Sequence, residues 1–165
     1  MANEYVTRAQ LKATLSLSGE TFADADIDAA LTAASRMVDG YCRRRFWADA
    51  DANQVRLYTP SLPGRVAIDD LVTLTSLEED LDLDGVYETP WVLGTDFVLA
   101  PANAAADGLP YTQVVVHPAG NRRFGSFRYP NTIRLTGKFG WPAVPGEVVQ
   151  ATSILAGRLL KRARE

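Results

Sequence analysis

Asp80-Leu81-Asp82-Leu83-Asp84-Gly85 sets a carboxylate at every second residue and follows them with a glycine. Acids at positions one, three and five, closed by a bidentate glutamate at position twelve, are how a calcium loop surrounds a hard cation with oxygen. Position twelve here is Trp91, which offers no oxygen, while Glu88 falls at position nine. Asp80, Asp82 and Asp84 are therefore candidate ligands of an incomplete, distorted site. The same residues also suit a solvated hairpin turn with Asp84-Gly85 at its tip. No metal is assigned on this pattern, and no cofactor is expected.

Other reactive residue types lack companions. His117 is the one histidine and closes an apolar run before Pro118. A general base needs a nucleophile and an orienting partner, and no motif supplies either, so His117 reads as a surface residue at a sheet edge. Cys42 is the one cysteine; it reads as a small buried thiol beside an apolar helix stripe. One Cys and one His cannot make a typical zinc site. Gly137-Lys138 lacks the earlier glycine and the following hydroxyl of a phosphate loop, since Thr132 and Phe139 hold those places. Basic residues cluster at Arg43 to Arg45, at Arg122, Arg123 and Arg128, and at the C-terminus. Phe124, Phe127 and Tyr129 interleave with the middle group, an arrangement able to stack bases or hold phosphates, or simply to line a solvated loop. None of this identifies an active site, and no enzymatic activity is expected.

Helices at both ends and strands between them must position these residues. Thr7-Arg8-Ala9-Gln10 is a capping box, with Val6 and Leu11 placed as a hydrophobic staple, and predicts a helix over 7–17 that ends near Ser18-Gly19. A second helix is predicted over 25–45. Asp24, Asp26 and Asp28 crowd its start and Arg43 to Arg45 its end, as the helix dipole favours. Ile27, Leu31, Ala34, Val38 and Tyr41 form its apolar stripe. From about 55 to 139, short β-branched runs alternate with turn signals such as Pro63-Gly64, Asp107-Gly108 and Pro130-Asn131. These predict four to six strands in antiparallel hairpins, with long connections near 101–110 and 119–130. A third helix is predicted over 146–163, after Pro142 and Pro145, with Val148, Thr152, Leu155 and Leu159 facing inward. The expected fold class is α+β: a small helical bundle with an inserted β-hairpin module, in a single domain over 1–165.

Bulk properties narrow the function classes. The chain has 165 residues, 47% of them hydrophobic and 22% charged, the balance of an ordinary globular protein. A net charge of −3 gives no general attraction to nucleic acid or anionic lipid. One cysteine cannot form an intrachain disulfide, which fits a reducing compartment. Met1 to Val6 lacks the basic and apolar regions of a secretory leader, and no apolar run is long enough for a bilayer span. Synthesis in a host cytoplasm, without membrane partners, is the expectation.

Several blocks, taken in order, carry a likeness to a known family. They are Tyr5-Val6-Thr7 with Gln10-Leu11; Ile27-Asp28-Ala29-Ala30-Leu31 running through Ala34-Ser35 and Val38-Asp39 to Cys42-Arg43-Arg44-Arg45-Phe46; and Asp84-Gly85-Val86-Tyr87-Glu88 with Trp91. Asp96-Phe97-Val98-Leu99, Pro101-Ala102-Asn103-Ala104 and Gly137-Lys138-Phe139-Gly140-Trp141-Pro142-Ala143-Val144-Pro145 complete the set, before a helix ending Leu159-Leu160-Lys161-Arg162. Over nearly its whole length the chain resembles the head–tail connector (adaptor) proteins of long-tailed bacteriophages. Its β middle is larger than in the smallest members, so loop roles do not transfer residue by residue.

The resemblance implies a helical bundle with a β insertion and a non-enzymatic, structural role in the virion neck. It implies twelve-copy rings beneath the portal that extend the DNA channel and contact a downstream neck or stopper protein. Genomic DNA would pass without being retained. Ring subunits meet through unlike faces, for which Arg122, Arg123, Phe124 and Phe127 are candidates. Arg158, Lys161, Arg162 and Arg164 are the candidates for contact with the portal. The alternative is a calcium-binding interaction module built on the Asp80 to Asp84 loop.

Overall fold

A computed structural model describes residues 3–16 and 21–163. The protein is α+β, with two N-terminal helices and a C-terminal helix packed together and an antiparallel sheet inserted between them in the chain. It divides into two compact units, Met1–Trp47 with Ala143–Glu165, and Ala48–Pro142.

In the helical unit, α1 spans Arg8–Ser16, α2 Asp24–Cys42 and α3 Gly146–Arg162. The capping box forms as the sequence predicts: Gln10 Oε1 accepts the Thr7 N–H at 2.8 Å and Thr7 Oγ1 accepts the Gln10 N–H at 3.2 Å. Leu11, Leu15, Ile27, Leu31, Ala34, Ala156 and Leu160 meet in the core. The proposed end of α1 at Ser18-Gly19 lies outside the described residues. α2 stops earlier than 45, because Arg43 turns left-handed (φ 49°) and sends its N–H back to the Asp39 carbonyl. The last buried position of α2 is Val38. Its final turn therefore carries Tyr41, 92% exposed, and Cys42 past the end of the core, which corrects the buried stripe and buried thiol expected of them. On α3 the buried line is Val148, Thr152, Ala156 and Leu160; Leu155 and Leu159 are half-buried beside it.

The sheet unit has six strands: β1 Gln54–Tyr58, β2 Arg65–Glu79, β3 Thr89–Pro90, β4 Phe97–Ala100, β5 Tyr111–Val116 and β6 Ile133–Phe139. Their order is β1-β6-β2-β5-β4, with β3 paired to the end of β2 and every pairing antiparallel. One face is the core, filled by Val66, Leu77, Trp91, Phe97, Phe124, Leu135 and Phe139. Gly137 is a mid-strand residue of β6, not part of a phosphate loop. β2 bulges opposite it, and a Cβ there would stand 2.4 Å from the Thr73 carbonyl oxygen. His117 follows β5, which lies between β2 and β4, so it is not on an edge strand.

Candidate functional site

Strand alternation decides what surrounds the acidic loop. Leu77 and Glu79 share a face of β2, and that face is the core, so Glu79 is drawn in with its carboxylate, 1% exposed. Neutral donors satisfy it: Trp91 Nε1–H reaches Oε2 at 3.1 Å, while the Ser126 N–H and hydroxyl reach Oε1 at 3.0 and 2.7 Å. Sequence reasoning overlooked Glu79, although period-two alternation from Leu77 points to it. The same bond explains why Trp91 closes no calcium loop: its ring is buried and its indole N–H is directed at Glu79.

Residues 80–88 connect β2 to β3, a longer connection than a two-residue turn at Asp84-Gly85. The Asp80 N–H donates to the Thr132 carbonyl at 2.9 Å. Its carboxylate accepts the N–H groups of Leu83 (2.7 Å, Oδ1) and Gly85 (3.0 Å, Oδ2), and Asp84 Oδ1 accepts that of Val86 at 2.8 Å. Gly85 adopts φ +88°, where a side chain would be strained. The loop thus curls round the buried Asp80, and one oxygen each from Asp80, Asp82, Asp84 and Glu88 lies within 4.8 Å of the others. Four carboxylates at that spacing suit a hard divalent cation such as calcium. Glu88, at the ninth position, stands with the three aspartates that the spacing predicts. Asp82, Asp84 and Glu88 are exposed.

The arginine–aromatic segment is mostly internal structure. Phe124 is 1% exposed and stacks on Trp91 at 4.5 Å, so it presents nothing to a neighbouring subunit. That corrects its assignment as an interface residue: an aromatic ring next to Trp91 gains more by closing the core than by facing water. Arg122 covers the outer side of the same ring at 4.3 Å and donates to Asp96 (2.9 Å) and the Pro90 carbonyl (2.8 Å). Arg123 is exposed, with its guanidinium on the Arg122 carbonyl at 2.6 Å. Phe127 is half-buried under Arg128. Of the four candidates, then, Arg123 faces outward, Arg122 and Phe127 do so in part, and Phe124 does not.

The remaining candidates are on or beside the helices. Arg158, Lys161 and Arg162 are exposed at the end of α3, and Arg164 lies outside the described residues. Arg45 is partly occupied: its guanidinium and that of Arg36 lie over the Trp47 ring, at 5.6 and 4.5 Å. Tyr5 braces this corner by accepting the Phe46 N–H at 2.8 Å and donating to Asp39. Burial and the Asp39 hydrogen bond push its phenol well above the ordinary range. His117 Nδ1 accepts the Ala119 N–H at 3.2 Å, so that lone pair serves a turn. Among the described residues, no helix is long and apolar enough to cross a membrane.

No protein-family model matches the chain, and no curated protein matches it.

Proposed function

We propose that this protein is a structural, non-catalytic subunit of a phage neck, forming a ring beneath the portal that joins head to tail and extends the DNA channel. The observation that carries the reading is architectural. Both ends of the chain build one helical unit, and a β module large enough to have its own core is inserted between them. This is the organisation that the likeness to head–tail connectors implies. Exposed Met37, Tyr41, Leu57, Val86 and Val92 supply apolar surface of the kind that assembly covers. In this reading the basic end of α3 faces an acidic portal surface, and many weak contacts add up through avidity. Imaging of the assembled neck tests it: a closed ring of this chain between portal and tail is expected, with twelve copies. A neck with no density for the chain would overturn it.

One observation favours a second reading, a calcium-dependent interaction module: the convergence of Asp80, Asp82, Asp84 and Glu88. Against it, both Asp80 oxygens already accept backbone N–H groups, so the loop keeps its shape through its own hydrogen bonds. Calorimetric titration with calcium decides between them. Saturable binding that Asp82→Ala abolishes supports the module; the ring reading expects a melting temperature that millimolar calcium leaves unmoved.

A further inference from the structure

α3 has an open groove on each of two sides, and the two differ in charge. Toward α2, Asp26, Ala29 and Ala33 face Leu159 and Ala163. Toward α1, Leu11, Thr14, Ile154 and Gly157 line a groove whose end carries Arg158 and Lys161. Val149 and Gly146 continue that groove toward the start of α3. Across the first groove, the outer surface of α2 forms a ridge at intervals of four residues, Ala29, Ala33, Met37 and Tyr41, all exposed. Its large members are 51% and 92% exposed. Among the described residues, no ion pair involves Asp26 or Arg158.

We infer that a second copy of this chain covers this ridge, seating it in its own α1–α3 groove with Asp26 of one copy beside Arg158 of the next. Three features select a second copy over an unrelated partner. The acid and the base lie at the same end of the bundle, because Asp26 shares a groove with Leu159 and Ala163 in the last turns of α3, where Arg158 also sits. α2 and α3 are antiparallel. A copy turned about an axis along the helices therefore brings the acidic end of one ridge to the basic end of the next groove. Lengths agree as well. Asp26 to Met37 rises about 16 Å and Arg158 back to Gly146 about 18 Å, at about 1.5 Å per residue. Met37 then meets the part of the groove where Gly146 leaves open space around its Cα, and Tyr41, about 6 Å further along α2, reaches past the start of α3. A foreign partner complementary to one surface would leave the other uncovered; a copy of the chain covers both.

The contact joins unlike faces, so it propagates, and a fixed rotation closes it into a ring. That last step rests on the neck reading; the contact itself does not. It also moves Arg158 from the portal-facing group to the neighbour-facing one.

Single-cysteine proteins test it in a Cys42→Ser background. Asp26→Cys and Arg158→Cys proteins, mixed at millimolar concentration and mildly oxidised, are expected to link one to the other. The chain carrying both changes should give a ladder of linked oligomers. No linkage in the mixture, or links only between like cysteines, would overturn the contact. Sedimentation supplies an independent measure. Asp26→Arg or Arg158→Asp should each weaken self-association about tenfold, and the double reversal should restore it. Association that ignores both reversals also overturns the proposal. Neck imaging separates the two readings: a ring in the neck without the cross-link rejects this contact alone, and a cross-link without a neck ring retains the contact and rejects the neck.

Discussion

The two units are held together in different ways. The buried apolar cluster of the helical core is aliphatic, several of its members alanine, with buried Ser35 and Thr152 on the helices and the Tyr5–Phe46 ring pair also buried. The charged pairs of Arg8 and Lys12 with Asp24 and Asp28 lie at the rim. The sheet core instead packs Trp91, Phe97, Phe124 and Phe139 around one buried carboxylate, Glu79, with three fixed donors. Aliphatic burial is non-directional, so losing one polar contact disturbs it little. A satisfied buried carboxylate is directional, and removing it orphans every donor aimed at it. The sheet unit should therefore be specified by a few residues, and the helical unit by an average over many. Such a helical unit can change its surface for assembly without losing its fold.

The largest expected effect breaks the sheet side of this contrast. Glu79→Ala leaves the Trp91 indole N–H and both Ser126 donors buried without acceptors and opens a cavity, a loss of about 3–5 kcal/mol. In a chain of this size that lowers Tm by roughly 10 °C. The helical counterpart is Ser35→Ala, which removes the hydroxyl that accepts the Tyr5 N–H at 3.2 Å and donates to Leu31 at 2.8 Å. It should cost about 1 kcal/mol. Urea denaturation measures both, and equal losses would refute the distinction.

A pair of glycines sharpens the contrast. Gly137→Ala would force a methyl against the backbone carbonyl of Thr73, which cannot retreat without undoing the β2 bulge. The expected loss is about 2–3 kcal/mol. Gly40 in α2 has nothing within 4 Å of its would-be Cβ. Gly40→Ala should stabilise by about 0.5–1 kcal/mol, from helix propensity and a stiffer unfolded chain. Opposite signs in the two midpoints are the expected result.

Thr152 is the helical unit's own imperfection. Its hydroxyl is buried and has no hydrogen-bond partner. Thr152→Val keeps the shape and removes the unsatisfied group, so a gain of about 1 kcal/mol is expected. A loss would mean that the hydroxyl finds an acceptor in solution.

What the sequence disclosed divides along similar lines. Thr7 and Gln10 are three residues apart, and their reciprocal bonds were legible because both partners lie in one turn. The strand-rich stretch from about 55 to 139 was legible from its β-branched runs and turn signals, and so was the helix–sheet–helix order. The order β1-β6-β2-β5-β4 was not, because it depends on pairings between distant strands. The candidate site splits in the same way. Asp80, Asp82 and Asp84 converge as their local spacing predicts. The bonds that hold Arg122 were not legible, because its partner Asp96 lies 26 residues away. Phe124 was misplaced because nothing local shows that Trp91 waits to stack on it. Tyr41 fits the α2 stripe by angle, and only the end of the core at Val38 leaves it in water.

The smallest effect concerns the ion pairs on the rim of the helical unit. The Lys12 hydrogen bond, with Arg8 nearby, holds the Asp24 carboxyl below its ordinary value of 3.8, and the Arg8 hydrogen bond does the same for Asp28. A folded-state value below the unfolded one means that these carboxylates stabilise the fold while ionised. Their contribution is whole above the ordinary value and is lost as pH falls through the depressed one. Asp24 is exposed and Asp28 partly so, and solvent and salt therefore screen the pairs and keep the effect small. The measurement is the urea midpoint of the protein minus that of Arg8→Gln. It should be constant near neutral pH, shrink as pH falls below about 4, and shrink again in molar salt. The Glu79→Ala loss should ignore the salt, since its donors are neutral. If the Arg8 difference survives both acid and salt, Arg8 acts through the packing of its aliphatic stem. The helical rim would then be held by shape, as its core is.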